Sequence, residues 1–398
     1  MNQKNYYRFL LILLGTLSAF GPFVTDFYLP ALPGVAKYFD SPATLAQMSL
    51  TMSMIGLGLG QLIVGPFSDK YGRKNLLYIS LSLFVITTVV CLVSPNILSF
   101  VIVRLFQGMA GAGGIVISRS VSTDYYSGRD LTKFLTMIAS VNGVAPIVAP
   151  VLGGFMLSFT DWRGTFVLLL VLGVMLILAA LLLKESLPKE RRTTKPLLAT
   201  FGLIPEVLQN RRYDSYLMVY MLSMVVLFAY ISASPFIFQE GYGLSPFMFS
   251  LCFAINGLVI IFGCALGGKI ESEYRAISLG SGLILLFSII SAIMLILHAN
   301  VVLVEISFAT VLFAYGVLQP PSNSLALSAE RRNAGTASAI LGASGFLAGG
   351  IVSPLVSLGD MFLTTGIIMI IASLLCFVSA TLVCRSNSRQ IRLNSIAS

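Results

Sequence analysis

The chain has 398 residues, 57% of them hydrophobic and only 10% charged, with a mean hydropathy of +0.91. Soluble domains carry about 25% charged residues, so this composition excludes an ordinary water-soluble enzyme. A single histidine and five scattered cysteines (Cys91, Cys252, Cys264, Cys376 and Cys384), with no CxxC pair, argue against a metal centre and against a structural disulfide.

Apolar runs divide the sequence into about twelve spans of roughly 20 residues. They fall at 7–29, 45–67, 76–95, 98–118, 134–158, 164–183, 213–237, 246–268, 276–297, 301–325, 336–357 and 362–384. The first has no small-residue cleavage site and reads as a retained span rather than a signal peptide. It ends in TDFYLPALP, which puts Asp26 within the outer part of a span. Pro22 and Pro30 each remove a backbone donor, so this helix end is expected to be irregular, with carbonyls partly free. A charge at mid-span costs roughly 2.5–3.5 kcal/mol and is tolerated where it faces a bundle interior or a water-filled cavity. Asp26 is therefore a candidate to gain and lose a proton as access alternates between the two sides. The plainer reading makes it an interfacial residue bonding the broken helix end.

The turn after the second span reads GPFSDKYGRK. Gly65 and Gly72 suit a tight turn, and Asp69 can approach a neighbouring helix N-terminus. Arg73 and Lys74 are placed to pair with carboxylates or anionic lipid. Such a cluster can latch a cytoplasmic gate in one state and release it in another; as bare charges it is an orientation signal. The fourth span contains RLFQGMAGAGG, which starts at Arg104. Arg104 keeps its proton and is a fixed positive charge, expected to bias a neighbouring carboxyl and to bind polar groups of the first span. Gly108, Gly111, Gly113 and Gly114 let neighbouring backbones approach. Arg119 and Asp124 stand at the far end of the same helix. The fifth span carries NGVAPIVAPVLGG, in which Pro146 and Pro150 are expected to kink the helix twice, ahead of Gly153 and Gly154.

The connection 184–212 is long, basic and contains three prolines, unlike the tight turns elsewhere. It divides the chain into an N-terminal six-helix half (1–183) and a C-terminal one (213–398). A faint repeat supports the division, since GGKIESEYR follows the eighth span where GPFSDKYGRK follows the second. The fold class is thus all-α integral membrane, with twelve transmembrane helices in two six-helix pseudo-symmetric halves. In the second half, Glu305 stands a few residues inside the tenth span and is expected to snorkel to the interface, while His298 lies near an outer loop with no obvious ligand partners.

Orientation follows from Lys and Arg. Of the 25 basic residues, Lys37 and Arg163 fall in one class of loop and Arg104 within a helix, while all the others fall at the termini, in the alternate loops or at helix ends facing them. Positive residues stay inside, which makes both termini and the 184–212 linker cytoplasmic. The net charge of +9 is mostly this topology signal and needs no nucleic-acid partner.

Together these residues resemble the major facilitator superfamily, and within it the Bcr/CflA-type twelve-helix drug:proton antiporters. The likeness covers essentially the whole chain. GPFSDKYGRK is similar to the superfamily's loop signature after helix two, and RLFQGMAGAG to the helix-four signature that begins with arginine. APVLGG resembles the helix-five antiporter signature, and TDFYLPALP the helix-one motif of drug exporters. Two departures stand out. Ala149 replaces the helix-five glycine before proline, and Ser18 stands where some relatives carry a further acidic residue, which leaves Asp26 as the lead proton site.

The resemblance implies proton-coupled efflux of small, largely hydrophobic drugs or toxic compounds across the bacterial cytoplasmic membrane, with no cofactor or metal. The expected partners are a small-molecule substrate, protons and the lipid bilayer, for a chain acting as a monomer. Tyr28, Tyr230, Phe236, Phe238 and Tyr315 are the aromatic candidates for substrate contact, and Asn142, Asn256 and Gln319 the polar ones. An exporter or importer of a specific metabolite, such as a siderophore, sugar or amino acid, is the alternative. A membrane-embedded enzyme lacks support, because neither HExxH nor a paired acidic motif occurs.

Overall fold

The structure, a computed structural model, describes residues 3–193, 202–330 and 333–397. All regular structure among those residues is helical. The helices are α1 Gln3–Ser18, α2 Phe20–Thr25, α3 Leu32–Tyr38, α4 Ala43–Tyr71, α5 Arg73–Leu92, α6 Ile97–Tyr125, α7 Gly128–Met156 and α8 Trp162–Leu181. They continue with α9 Leu203–Leu208, α10 Arg211–Phe236, α11 Pro246–Gly267, α12 Glu273–Ile296, α13 Val301–Ala329, α14 Ala334–Leu355 and α15 Met361–Ala397. Among the described residues eleven helices are long and apolar enough to cross a membrane, and a bent pair, Asn5–Ser18 with Phe20–Tyr38, makes a twelfth span when taken as one.

The chain forms two compact units, Met1–Phe201 with Phe238–Ala254, and Gly202–Ile237 with Ile255–Ser398. In the first, α4 and α6 make the most extensive helix pair. Glycines explain their closeness: a Cβ at Gly108 would overlap the Ser53 carbonyl, and one at Gly60 would stand 2.6 Å from the Met109 carbonyl oxygen. The second unit repeats the device between α11 and α13, where Gly267 abuts the Val317 carbonyl and Gly316 the Ile260 carbonyl.

Asparagine side chains cap helix starts. Asn96 Oδ1 accepts from the Ser99 amide at the start of α6, and Asn300 Oδ1 from the Val302 amide at the start of α13. Two expectations are corrected. The first span is not one helix over 7–29; it breaks after Ser18, bends by 47°, and resumes through α2, a 3-10 turn at Leu29–Ala31 and α3 as far as Tyr38. Proline 22 cannot donate to the Ser18 carbonyl, and Pro30 opens the 3-10 turn, so the bend has a local chemical cause. The fifth span carries Pro146 and Pro150 within one uninterrupted helix, α7. Many helices also run past their expected ends; α4 and α6 both extend to tyrosines, Tyr71 and Tyr125. The expected linker contains a 3-10 turn at Lys189–Arg191 and the short helix α9, with 194–201 outside the described residues.

Candidate functional site at the break in the first span

Asp26 caps the C-terminal end of α2 and is buried, at 7% exposure. Its amide donates to the Pro22 carbonyl at 2.7 Å, and its Oδ1 accepts from the Thr25 hydroxyl at 2.8 Å. The same hydroxyl lies 3.0 Å from the Gly21 carbonyl. A single O–H serves one of these acceptors at a time, so the Asp26 carboxyl can lose or regain a hydrogen bond without any backbone movement.

Arg104 is fully buried on α6. Its Nη2 donates to the Val24 carbonyl at 3.0 Å, a group on the broken end of the first span. Nη1 donates to Gln107 Oε1, whose own Nε2 donates to the Thr88 hydroxyl at 2.7 Å on α5. The guanidinium also stands over the Tyr28 ring at 4.7 Å and the Phe166 ring at 5.5 Å. Val24 and Tyr28 flank Asp26 by two residues on each side. Nevertheless, among the described residues no carboxylate oxygen lies within 4.0 Å of an Arg104 nitrogen. The buried cation is held by a carbonyl, an amide oxygen and two aromatic faces, while its Nε has no hydrogen-bond partner.

The helix-five motif reaches the same place. Gly153 faces the first span so closely that a Cβ would overlap the Phe27 carbonyl, one residue beyond Asp26. Gly154 does the same toward α11, where its Cβ would overlap Ser250 Oγ. Pro150 is buried and Pro146 half-buried on this helix. Gln239 Nε2 donates to the Pro30 carbonyl at 3.1 Å and so satisfies a group that the irregular end leaves free. Two motifs and Gln239, far apart in sequence, therefore converge on residues 24–30.

At the opposite end of α4 the GPFSDKYGRK residues form a second cluster. Gly72 has φ +97°, and a Cβ there would stand 2.5 Å from Glu185 Oε2. Arg73 is buried; Nη1 pairs with Asp69 at 2.6 Å and Nε with Asp124 at 3.0 Å. Asp69 was expected near a helix N-terminus, but Glu185 takes that position. Its carboxylate accepts from the Arg73 amide at 3.0 Å and the Lys74 amide at 3.3 Å at the start of α5. Lys74 Nζ donates to the Leu181 carbonyl. Gly65 has open surroundings, its Cβ position touching only Val116 at 3.9 Å.

The aromatic and polar candidates for substrate contact are mostly packed. Tyr28 is fully enclosed, with its hydroxyl on Ser49 Oγ at 2.9 Å and its ring edge-on to Phe166. Phe236 and Phe238 are buried, the latter beside Phe249. Tyr315 is buried with its hydroxyl 3.4 Å from Met224 Sδ, and Gln319 is half-buried. The structure brings Tyr230 and Asn256 together, with Nδ2 donating to the phenol oxygen at 2.9 Å. The Asn142 side chain lies outside the described residues. Glu305 does not snorkel: both carboxylate oxygens are buried. His298 takes a left-handed φ of 45° and stacks on Phe362. Reading the sequence missed Gln107, Gln239, Phe166 and Glu185. Only Gln107, three residues after Arg104 and so on the same helix face, left a local signal.

Comparison with known proteins covers nearly the whole chain. The family model described as Major Facilitator Superfamily matches residues 11–354. A Bacillus subtilis protein called uncharacterized MFS-type transporter YdgK is 37% identical over 88% of this chain and 89% of its own. A bicyclomycin resistance protein homolog from Haemophilus influenzae is 28% identical, over 90% and 91% of the two chains. Among solved structures, a bacterial homolog to the human lysosomal transporter Spinster superposes with a TM-score of 0.75. It covers 96% of this chain and 98% of its own at 16% identity, a likeness of fold.

Proposed function

This chain belongs to the Major Facilitator Superfamily, a multi-pass membrane transporter of small molecules, and we propose that it exports small, largely hydrophobic toxic compounds in exchange for protons. The membrane is the bacterial cytoplasmic membrane, with both termini and the 184–212 linker on the cytoplasmic side. The observation that carries the reading is the buried Asp26 carboxyl at the break of the first span, bracketed by the contacts of Arg104 at Val24 and Tyr28. The bicyclomycin resistance homolog supports drugs over metabolites as the substrate class.

In this reading Asp26 carries the proton. When ionised it presents a negative charge beside irregular backbone; when protonated it is neutral and accepts less strongly from Thr25. A substrate that prefers the ionised form competes with the proton, which is the minimum requirement for exchange. Each proton moving down 100 mV supplies about 2.3 kcal/mol. Arg104 acts as a fixed charge that holds the end of the first span, and the Gly153–Phe27 approach lets α7 pack directly on the moving segment. The Asp69–Arg73–Asp124 cluster, with Glu185, latches one conformation at the cytoplasmic face. Tyr230, Asn256 and Gln319 contribute substrate contacts in the C-terminal half.

Everted membrane vesicles test this. Adding a toxic substrate to energised vesicles is expected to release protons from the lumen, and Asp26→Asn to abolish that release. Substrate uptake with no proton movement in the parent protein would refute antiport, and stimulation by a single metabolite alone would favour the metabolite reading.

A further inference from the structure

Glu305 is the one Asp, Glu, Lys or Arg in the second unit's spans away from their ends. None occurs in α10 after Asp214, in α11, in α12 after Arg275, elsewhere in α13, in α14 within 335–355, or in α15 before Arg385. Both of its carboxylate oxygens are buried, and neither has a hydrogen-bond partner within 3.5 Å. The Asn256 amide of α11 lies beside it. Asn256 is 1% exposed; its Nδ2 is used on the Tyr230 hydroxyl, and its Oδ1 is also buried without a partner.

The Glu305 carboxyl and Asn256 Oδ1 are thus both buried acceptors without a donor among the described residues. An ionised carboxylate is acceptor-only, so it leaves both unsatisfied, and a buried unpaired charge is among the most expensive groups a fold can hold. A protonated carboxyl gains one O–H donor, and Asn256 Oδ1 is a buried acceptor that lacks one. From this geometry we propose that Glu305, Asn256 and Tyr230 form a second proton-binding site, in which the Glu305 acid donates to Asn256 Oδ1.

The groups around it leave no competing charge. Tyr230 approaches from α10, its ring edge-on to Phe308 one turn along α13. Ser291 of α12 accepts from Ser307 Oγ at 3.1 Å. Cys252 and Cys264 are the titratable groups of α11, and His298, at the end of α12, is engaged with Phe362. Among the described residues no Lys or Arg pairs with the Glu305 carboxylate to hold it in its ionised form. The site exists independently of what the protein exports; its use as a second coupling group rests on the proton-exchange reading above.

Infrared difference spectra of the full-length protein in lipid nanodiscs, recorded as pH is stepped from acid to alkaline, test the site without any transport assay. The parent is expected to show a carboxylic-acid C=O band that Glu305→Gln removes and Asp26→Asn retains. Asn256→Leu is expected to move that band to the higher frequency of an acid with no hydrogen bond. Glu305→Gln supplies an amide donor in place of the acid O–H and is expected to fold; Glu305→Asp, which keeps the acid, is the check if it does not, and should retain the band at an altered frequency. Spectra of Glu305→Gln and parent that superimpose at every pH would overturn the proposal. So would a transport defect in Glu305→Gln with no acid band in the parent, which would make Glu305 an ionised substrate contact. Failure of proton exchange in vesicles, with the band present, would overturn only the antiport reading.

Discussion

Gly153 of α7 abuts Phe27 so closely that a single added carbon would overlap the Phe27 carbonyl oxygen. The contact fixes a helix-five motif against the residue that follows Asp26. Gly153→Ala is therefore expected to push the end of the first span outward, at about 1–3 kcal/mol for overpacking. Transport should fall and the melting temperature drop. Gly143→Ala, on the same helix with nothing within 4 Å of its Cβ position, should change neither. Equal effects of the two substitutions would show that the contact does not matter.

Arg104→Ala removes the donors to Val24 and Gln107 and leaves both acceptors buried. An unsatisfied buried group costs roughly 1–3 kcal/mol, so transport is expected to fall at least about tenfold, since about 1.4 kcal/mol is a factor of ten. Arg104→Lys is not expected to rescue it. The two bonds leave the guanidinium from different nitrogens, and an ammonium cannot reproduce that planar fork while lying over two rings. Restoration of transport by lysine would mean that charge alone suffices.

Within the α4–α5 turn, the two partners of Arg73 predict unequal effects. The Asp69 side chain is 50% exposed, whereas those of Arg73 and Asp124 are 8% and 16% exposed. Exposed pairs contribute about 0.2–1 kcal/mol, while removing one member of a buried pair costs roughly 3–5 kcal/mol. Arg73→Ala should accordingly impair transport and stability much more than Asp69→Asn. Both should act on exchange between conformations rather than on substrate affinity, which binding measured beside transport will separate. Glu185→Gln should weaken the N-terminus of α5 by a smaller amount, because the neutral amide still accepts from the Arg73 and Lys74 amides.

Asp26→Asn keeps the size of the side chain and an acceptor for Thr25 but removes the titratable group. Proton-coupled accumulation is expected to disappear, while binding of a neutral compound and its downhill movement remain. Reconstituted vesicles with a pH-sensitive dye in the lumen give the measurement. Full substrate-driven proton movement in this variant would transfer coupling to another carboxyl.

Topology makes a separate prediction. Reporter fusions after Lys189 and after Ser398 should report the cytoplasm, and one near Asn96 the outside. A periplasmic signal after Ser398 would contradict the proposed orientation.

The sequence alone determined the spans, their number and the irregular end of the first, because hydropathy and the missing proline donors act locally. It also singled out Asp26 and Arg104, since an ionisable residue in an apolar run is conspicuous whatever surrounds it. Tertiary structure decided what those residues touch. Arg104 meets a backbone carbonyl and two rings instead of the Asp26 carboxylate, and Glu185 rather than Asp69 caps α5. Glu305, close enough to a helix end to reach the interface, instead has both carboxylate oxygens buried. These outcomes depend on the direction of a side chain and on partners far away in the chain: 80 residues for Arg104 and Val24, 112 for Arg73 and Glu185. Neither direction nor distant partner leaves a mark in local composition, so packing alone could settle them.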